Sequence, residues 1–425
     1  MKKLITLILA ITLVCGIFVT GASAEQSGLF EYTVKEDGTA EITGADRNIK
    51  DGKIPAELDG HTVTSIGLSA FFFCDKLTEV TIPDTVTTLD DFAFAHCTKL
   101  KSVNIPDALT TIRDGVFIGS VKLTDIKISP KHPAFVFNNE MLLRKEDMTL
   151  LHYCGQKPGA YEVYWGITKL DKGAFEGTKL TSVKIPNSVT VIDNYAFRSM
   201  KGLKEVIIPD SVTTIGNQVF YDSGLKSLYI PASVTHIGSE NLCSFNAGLT
   251  ALEIDPANPV YEMQGNLLIS KQEKALVGHV DSDKGTVEIP EGIEIIKNGA
   301  FKYNKNVKEI IIPDSVKVIE SDAFAWCSNL ASVTLPGSLE TISSSLFASC
   351  SKLKSVTIPD GVGAIFYDAF RGCGKLTEVT IPASVTYIDS NAFLYCSKNL
   401  TIKAPAGSAA QQFCEEQGIK FTELK

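Results

Sequence analysis

Apolar residues recur along this chain in a register of about 23 residues. Phenylalanines mark the register most clearly, since Phe71, Phe94 and Phe117 are 23 residues apart. Two later runs keep a spacing of 22 or 23 residues: Phe175, Phe197, Phe220 and, in the same slot, Leu242, then Phe301, Phe324, Phe347, Phe370 and Phe393. A fixed period in the twenties predicts a solenoid, in which each unit buries its apolar face only against its neighbours.

Each unit predicts two short strands. Residues 100–105 read Leu-Lys-Ser-Val-Asn-Ile, and this alternation is typical of a strand with one buried face. Pro106 ends the strand, because proline has no N–H to donate to the ladder. Leu109 and Ile112 mark a second extended segment. Since these positions recur in register, like residues should stack into ladders and form one continuous core.

The unit carries a recognisable pattern around its proline and its Phe anchor. One copy consists of Ile312-Pro313-Asp314-Ser315-Val316, Ala323-Phe324-x-x-Cys327, Leu330 and Val333-x-Leu335. The proline recurs at Pro83, Pro106, Pro186, Pro209, Pro231, Pro290, Pro336, Pro359 and Pro382. This repeat resembles the BspA-type leucine-rich repeat of secreted and surface bacterial proteins, over nearly the whole chain. The resemblance implies a curved, β-rich, right-handed solenoid and a role in adhesion or protein binding.

Two units are longer than the rest and predict inserted β-hairpins, near residues 130–163 and 256–289. Both begin alike, with Ser-Pro-Lys-His-Pro from residue 129 and Asp-Pro-Ala-Asn-Pro from residue 255. In each, two short apolar segments flank a charged turn, so we expect a hairpin that bulges from one coil. The insert is either a tolerated insertion in the solenoid or a projecting loop that contacts a partner.

The two ends of the chain lack the repeat. Residues 25–54 predict a β-hairpin that caps the first coil, and residues 406–425 predict a helix and a last strand that cap the other end. The solenoid itself would span residues 55–405. We therefore expect one structural domain behind the N-terminal segment 1–24.

That N-terminal segment predicts a signal peptide. Lys2 and Lys3 precede an almost wholly apolar run over residues 4–20, and Ala-Ser-Ala at residues 22–24 is a typical cleavage site. A membrane anchor is the alternative, although the run is short for a span. We expect export, with the mature chain secreted or associated with the cell surface, and no membrane insertion after cleavage.

Charge argues against nucleic-acid binding. Without Lys2 and Lys3 the 40 basic residues become 38, against 49 acidic ones, a net charge of about −11. Such a chain repels phosphates, and no basic patch with interleaved aromatics offsets this. No nucleophile elbow, zinc-protease motif or phosphate-binding loop occurs, so we expect no enzyme, no cofactor and no metal site.

Six cysteines share one slot of the repeat: Cys74, Cys97, Cys327, Cys350, Cys373 and Cys396. Other units place Ser, Thr, Met or Asn there, as in Ser120 and Thr178. A slot that accepts these residues does not require a disulfide, so the sequence favours small, buried, reduced side chains.

The candidate binding residues lie in the L-x-x-V-x-I strand. The residue between Val and Ile points away from the core, onto the expected concave sheet. In successive units it is Thr81, Asn104, Lys127, Lys184, Ile207, Tyr229, Glu253, Glu288, Ile311, Thr334, Thr357, Thr380 and Lys403. The middle group, Lys184, Ile207, Tyr229 and Glu253, is typical of a binding patch because apolar residues stand among charges. Ordinary solvated β-surface is the alternative.

A second candidate surface follows the Phe anchors. Aromatic residues occupy that turn in some units but not all: Phe72, Phe73, Tyr221, Tyr303, Trp326 and Tyr395. They either pack between turns or contact a ligand. The sequence thus predicts a monomeric binding protein for an extracellular protein or glycan, with a structural, self-assembling spacer as the alternative.

Overall fold

The computed structural model describes residues 24–238, 249–280 and 285–424. Internal contacts group the chain into two compact units, Met1–Ala134 and Phe135–Lys425. Both are built from short strands that stack in parallel, turn upon turn, in two columns, which confirms the predicted β-rich solenoid. Within the described residues, no helix combines the length and the apolar character needed to cross a membrane.

In the first unit, the first column holds the strands of the L-x-x-V-x-I segments. They are Asp51–Lys53, Glu79–Thr81, Ser102–Ile105 and Asp125–Ile128. The second column consists of Glu25–Ser27, Phe30–Val34, Ala40–Ala45, His61–Ile66, Thr88–Leu89 and Thr111–Ile112, and Glu57–Leu58 pairs with His61–Ile66.

The second unit repeats this arrangement. Its first column holds Gly159–Glu162, Leu180–Lys184, Glu205–Ile207, Ser227–Ile230, Ala251–Ile254, Gly285–Glu288, Val307–Ile311, Ser332–Thr334, Ser355–Thr357, Glu378–Thr380, Thr401–Ala404 and Lys420–Glu423. Its second column holds Phe135–Asn138, Met141–Arg144, Thr149–Tyr153, Lys169–Leu170, Val191–Ile192, Thr214–Ile215, His236–Ile237, Tyr261–Gln264, Leu267–Ser270, Ala275–His279, Ile295–Ile296, Val318–Ile319, Thr341–Ile342, Ala364–Ile365 and Tyr387–Ile388. A helix spans Ala409–Gln417.

The Phe anchors form stacked ladders in the core, as their spacing predicts. In the second unit, the ring centroids of consecutive anchors lie 5.1 to 5.5 Å apart. Phe324, Phe347 and Phe370 are fully buried. Parallel strands one ladder spacing apart bring each ring onto the next, so the core is continuous from coil to coil.

Aromatic residues of the end segments extend these ladders. Phe30, on the N-terminal hairpin, packs edge-on against Phe71 at 6.2 Å. Phe413, on the terminal helix, lies 5.8 Å from Phe393. That helix begins at Ser408, whose side chain accepts a hydrogen bond from the Gln411 N–H. The end segments therefore cover the outermost rings of the core.

The two inserts are hairpins, but they do not project from the solenoid. Leu267–Ser270 and Ala275–His279 pair antiparallel, and every residue in both strands is buried. Tyr153 and His279 even take the place of the Phe anchor, because their rings lie 5.2 Å from Phe175 and 4.7 Å from Phe301. The bulging loops expected from the sequence are thus part of the core.

The cysteine slot is a hydrogen-bond donor position. Five of the six thiols donate to the carbonyl oxygen of the Phe anchor one turn earlier, whereas the Cys74 thiol donates to the Asp46 carbonyl at 3.9 Å. The pairs are Cys97–Phe71 at 3.2 Å, Cys327–Phe301 at 3.1 Å, Cys350–Phe324 at 3.1 Å, Cys373–Phe347 at 3.2 Å and Cys396–Phe370 at 3.0 Å. The Ser120 hydroxyl makes the same bond to Phe94 at 2.8 Å. This shared role explains why the slot accepts both cysteine and serine.

Cys350→Ser is expected to lower the free energy of unfolding by only about 1–2 kcal/mol. The hydroxyl keeps the bond to the Phe324 oxygen and loses only the apolar packing of the sulfur. Burial raises the pKa of the Cys350 thiol to about 12, so the native residue is a protonated donor at neutral pH. Urea unfolding followed by circular dichroism measures the difference. Cys350→Ala, which lacks the donor, should destabilise more, and the reverse order would contradict this role.

Candidate functional site

The predicted binding residues lie on four consecutive strands of the first column in the second unit. Lys184 ends Leu180–Lys184, Ile207 ends Glu205–Ile207, Tyr229 lies in Ser227–Ile230 and Glu253 lies in Ala251–Ile254. All four side chains are exposed, whereas the preceding residue on each strand is buried. The alternation of a strand therefore turns these four residues outward, and together they are called the Tyr229 surface below.

The strand register brings the four residues together in two pairs. Lys184 lies opposite Ile207, and Tyr229 lies opposite Glu253. The strands Glu205–Ile207 and Ser227–Ile230 contact each other but belong to different hydrogen-bonded sheets. Ile207 is 47% exposed and Tyr229 is 46% exposed, so the centre of the surface is apolar and open to solvent.

Lys184 already has an acidic partner that the sequence analysis missed. Its Nζ lies 2.8 Å from Glu162 Oε1, and the register places Glu162 directly opposite Lys184 on the neighbouring strand. Both side chains are more than half exposed, so the ion pair stabilises the fold little. It does neutralise the one basic residue of the Tyr229 surface.

Tyr229 is held in place by an acidic residue of the next coil. Its hydroxyl donates to Asp255 Oδ2 at 2.6 Å, while Asp255 Oδ1 accepts the Ala257 N–H at 2.8 Å. The hydrogen bond to Asp255 raises the pKa of Tyr229, and the charges of Asp210 and Glu253 act in the same direction. The same bond lowers the pKa of Asp255, which therefore stays ionised at neutral pH. The ring is thus held by Asp255 and lies opposite Glu253.

Other members of this repeat position are used within the fold. Asn104 accepts from the Ile82 N–H at 2.6 Å and donates to the Ile82 carbonyl at 2.9 Å. Lys403 lies 2.7 Å from Glu378. A shallow hollow in the first unit lies beside Asn104, but its lining is mostly polar and includes no exposed aromatic ring. It offers less than the Tyr229 surface for recognising a partner.

The aromatic residues after the Phe anchors form a second exposed group. In the second unit, the ring of Tyr303 lies 6.3 Å from Tyr221 and 6.0 Å from Trp326. Trp326 is 51% exposed, and Tyr395, further along the same turn position, is 68% exposed. Tyr221 and Tyr303 are half-buried and pack between turns, whereas Trp326 and Tyr395 face solvent.

Two carboxylates of the second unit share one lysine. Asp171 and Asp193 both lie beside Lys169, whose Nζ is 3.5 Å from the first and 2.8 Å from the second. The ammonium group offsets one of the two negative charges, so Lys169 and the two carboxylates form an ion-pair cluster within the second column.

Comparison with known proteins agrees with the geometry. The family model described as the BspA type leucine rich repeat region matches residues 48–144, 166–259 and 282–400. A leucine rich cell surface protein from Faecalibacterium prausnitzii is 29% identical, with a TM-score of 0.56 over 92% of this chain and 97% of that chain. The pneumococcal vaccine antigen PcpA has a TM-score of 0.54 at 17% identity, over 95% and 99% of the two chains, which is a likeness of fold alone. No curated protein matches the chain.

Proposed function

This chain belongs to the family of BspA-type leucine-rich repeat proteins, and from that premise we propose that it is an exported binding protein. Its partner is an extracellular protein that presents a basic segment, and the Tyr229 surface binds that segment. The cell-surface description of the Faecalibacterium prausnitzii protein supports the location. The repeat fold supports recognition rather than chemistry, because it offers an extended face of exposed strand residues.

The observation that carries the proposal is the fixed, exposed ring of Tyr229 among carboxylates. Asp255 accepts the hydrogen bond of its hydroxyl, Glu253 lies directly opposite it on the neighbouring strand, and Lys184 is neutralised by Glu162. A lysine or arginine of a partner would stack on the ring and pair with these carboxylates. Ile207 beside the ring adds apolar area at the centre of the contact. The net charge of about −11 without Lys2 and Lys3 would also steer a basic partner toward the chain.

A binding screen against extracellular-matrix proteins and mucins tests the proposal. We expect a specific protein partner whose affinity falls as salt is raised, because exposed charges are screened. Binding that is insensitive to salt would contradict the basic-segment part of the proposal. Concentration-dependent self-association without any partner would instead favour a structural spacer.

Tyr229→Ala is expected to weaken binding of that partner by about 1–3 kcal/mol. The unfolding midpoint should hardly change, because the side chain lies outside the core. Thr357→Ala is the matched control, since Thr357 occupies the same repeat position on a strand with no exposed aromatic ring. Surface plasmon resonance on the three proteins measures the difference. Unchanged affinity in Tyr229→Ala would overturn the assignment of this surface.

A further inference from the structure

The turn after each Phe anchor contains a residue in the left-handed region. It is the second residue after the anchor, and in the second unit it includes Tyr303 with φ 66°, Trp326 with φ 64° and Tyr395 with φ 62°. Ser349 and Gly372 occupy the same place in the coils between, with φ 61° and 74°. The backbone of the turn is therefore the same whichever side chain it carries.

Bulky side chains are costly at this position. For an L-residue the left-handed region brings Cβ close to the following carbonyl oxygen, whereas glycine adopts it freely. Gly119, Gly177 and Gly372 show that this turn closes without a side chain. The core does not require the aromatic rings either, because Trp326 and Tyr395 are more than half exposed. Neither backbone nor core accounts for the two rings, which points to a contact outside the chain.

The two rings lie on either side of two coils that carry small residues at this turn position. Trp326 and Tyr395 are three coils apart, with Ser349 and Gly372 between them. Hydrogen bonds link these turns as a ladder, from the Ser349 N–H to Arg371 at 2.6 Å and from the Gly372 N–H to Leu394 at 2.8 Å. At about 4.8 Å per step, the rings stand roughly 14 Å apart. Between them the surface carries only small side chains at this position.

Polar groups lie beside one end of this surface. The Arg371 guanidinium lies 5.6 Å from the centre of the Tyr395 ring and donates to Asp368 Oδ2 at 3.0 Å. Asp368 is only 5% exposed, and its Oδ1 has no hydrogen-bond partner in the described structure. The site therefore offers the guanidinium donor of Arg371, which is 46% exposed and is held in place by the buried Asp368.

The charges here are already balanced. Arg371 pairs with Asp368, and Lys302, beside the Tyr303 ring, lies 3.3 Å from Asp322. A strongly charged ligand would have to compete with these pairs. A sugar ring has an apolar C–H face that stacks on aromatic rings, and its hydroxyls accept hydrogen bonds from a guanidinium group such as that of Arg371. We propose that the surface from Trp326 to Tyr395 is a second binding site, for a neutral oligosaccharide.

Tryptophan fluorescence tests this directly, because the chain has two tryptophans, Trp165 and Trp326. In the otherwise intact Trp165→Phe variant, all tryptophan emission comes from Trp326. The probes are cellohexaose, xylohexaose, maltohexaose and mannohexaose, each titrated to about 10 mM, tenfold above a weak Kd of about 1 mM. We expect at least one of them to shift and saturate the emission. No change with any of the four would overturn the proposal.

Variants separate binding from packing. Tyr395→Ala should raise the saccharide Kd measured by the fluorescence titration about tenfold or more. Trp326→Gly should lose binding, measured by calorimetry, while its unfolding midpoint stays at or above that of the native chain, since glycine relieves the backbone. A lower midpoint for Trp326→Gly, with saccharide binding retained, would mean that Trp326 only packs. Trp165→Ala and Tyr229→Ala, both away from this turn position, are expected to bind the saccharide as the native chain does.

Discussion

Phe347→Ala is expected to lower the free energy of unfolding by about 3–5 kcal/mol. The ring is fully buried and stacks on Phe324 at 5.5 Å and on Phe370 at 5.4 Å. Its removal deletes the transfer free energy of the side chain and leaves a cavity between two rings that the strand ladders hold apart. Urea unfolding of the native and variant chains measures the loss.

The damage should also be local, because each coil of a solenoid contacts only its neighbours. Hydrogen exchange read by mass spectrometry is expected to show lost protection in the coils of Phe324, Phe347 and Phe370. Phe347→Leu is the matched control, since the sequence places Leu242 in the same slot, and it should destabilise less. A loss below about 1 kcal/mol for Phe347→Ala, or protection lost equally along the chain, would contradict the stacked-ladder account.

The repeating core could be predicted from the sequence because the same repeat position is buried in every coil and therefore needs an apolar residue each time. Phe94, Leu100 and Val103 recur in register, and in a solenoid that register is also the stacking of the fold. Helix and strand positions that depend on distant contacts are harder to infer, but here nearly all contacts join one coil to the next. One unit therefore predicts most of the others.

Each insert contains an antiparallel hairpin, but the packing of these hairpins was not predicted. Tyr153 and His279 occupy the anchor slot, each 22 residues before the next anchor, but neither is a phenylalanine and the longer insert separates each from the anchor before it. The apolar segments near these two residues predicted a hairpin in each insert, but they did not show which face of the hairpin is buried. Left-handed backbone at Tyr303 and Trp326 was equally hidden, because bulky aromatic residues are not a signal for positive φ.

For the candidate site too, the sequence predicted which residues face outward but not which residues they contact. The alternation of a strand sufficed to turn Lys184 and Tyr229 outward. Their partners, Glu162 and Asp255, lie 22 and 26 residues away and meet them only once the pairing of neighbouring coils is known. Sequence spacing therefore indicated where the surface lies, whereas its charge balance required the structure.

One buried polar residue fastens each insert to the coil before it, and the sequence pattern did not reveal this role. His132 Nε2 lies 3.0 Å from the Pro106 carbonyl, and its Nδ1 accepts the Ala134 N–H at 3.2 Å, so Nε2 carries the proton. Asn258 stands at the equivalent place in the second insert, where its Nδ2 donates to the Pro231 carbonyl at 3.0 Å. An imidazole and a carboxamide thus perform the same task in the two inserts.

Asn258→Ala is expected to lower the free energy of unfolding by about 2–5 kcal/mol, because it leaves buried backbone groups without partners. Besides Pro231, Nδ2 donates to Val234 at 2.9 Å, and Oδ1 accepts the Val260 and Tyr261 N–H groups at 2.9 and 2.8 Å. Asn258 is 1% exposed, so water cannot easily replace these bonds. Urea unfolding measures the change in free energy.

Two further variants test whether the stability loss comes from the hydrogen bonds of Asn258 or from any side-chain change within this insert. Gln264→Ala removes an exposed side chain of the same insert, whose amide donates to Glu262 Oε1, and should change stability by less than about 0.5 kcal/mol. Asn258→His, which copies His132, should lose less than Asn258→Ala because it keeps one donor and one acceptor, although its larger ring must fit a buried site. If Asn258→Ala were no worse than Gln264→Ala, the insert would be held by its apolar strands alone.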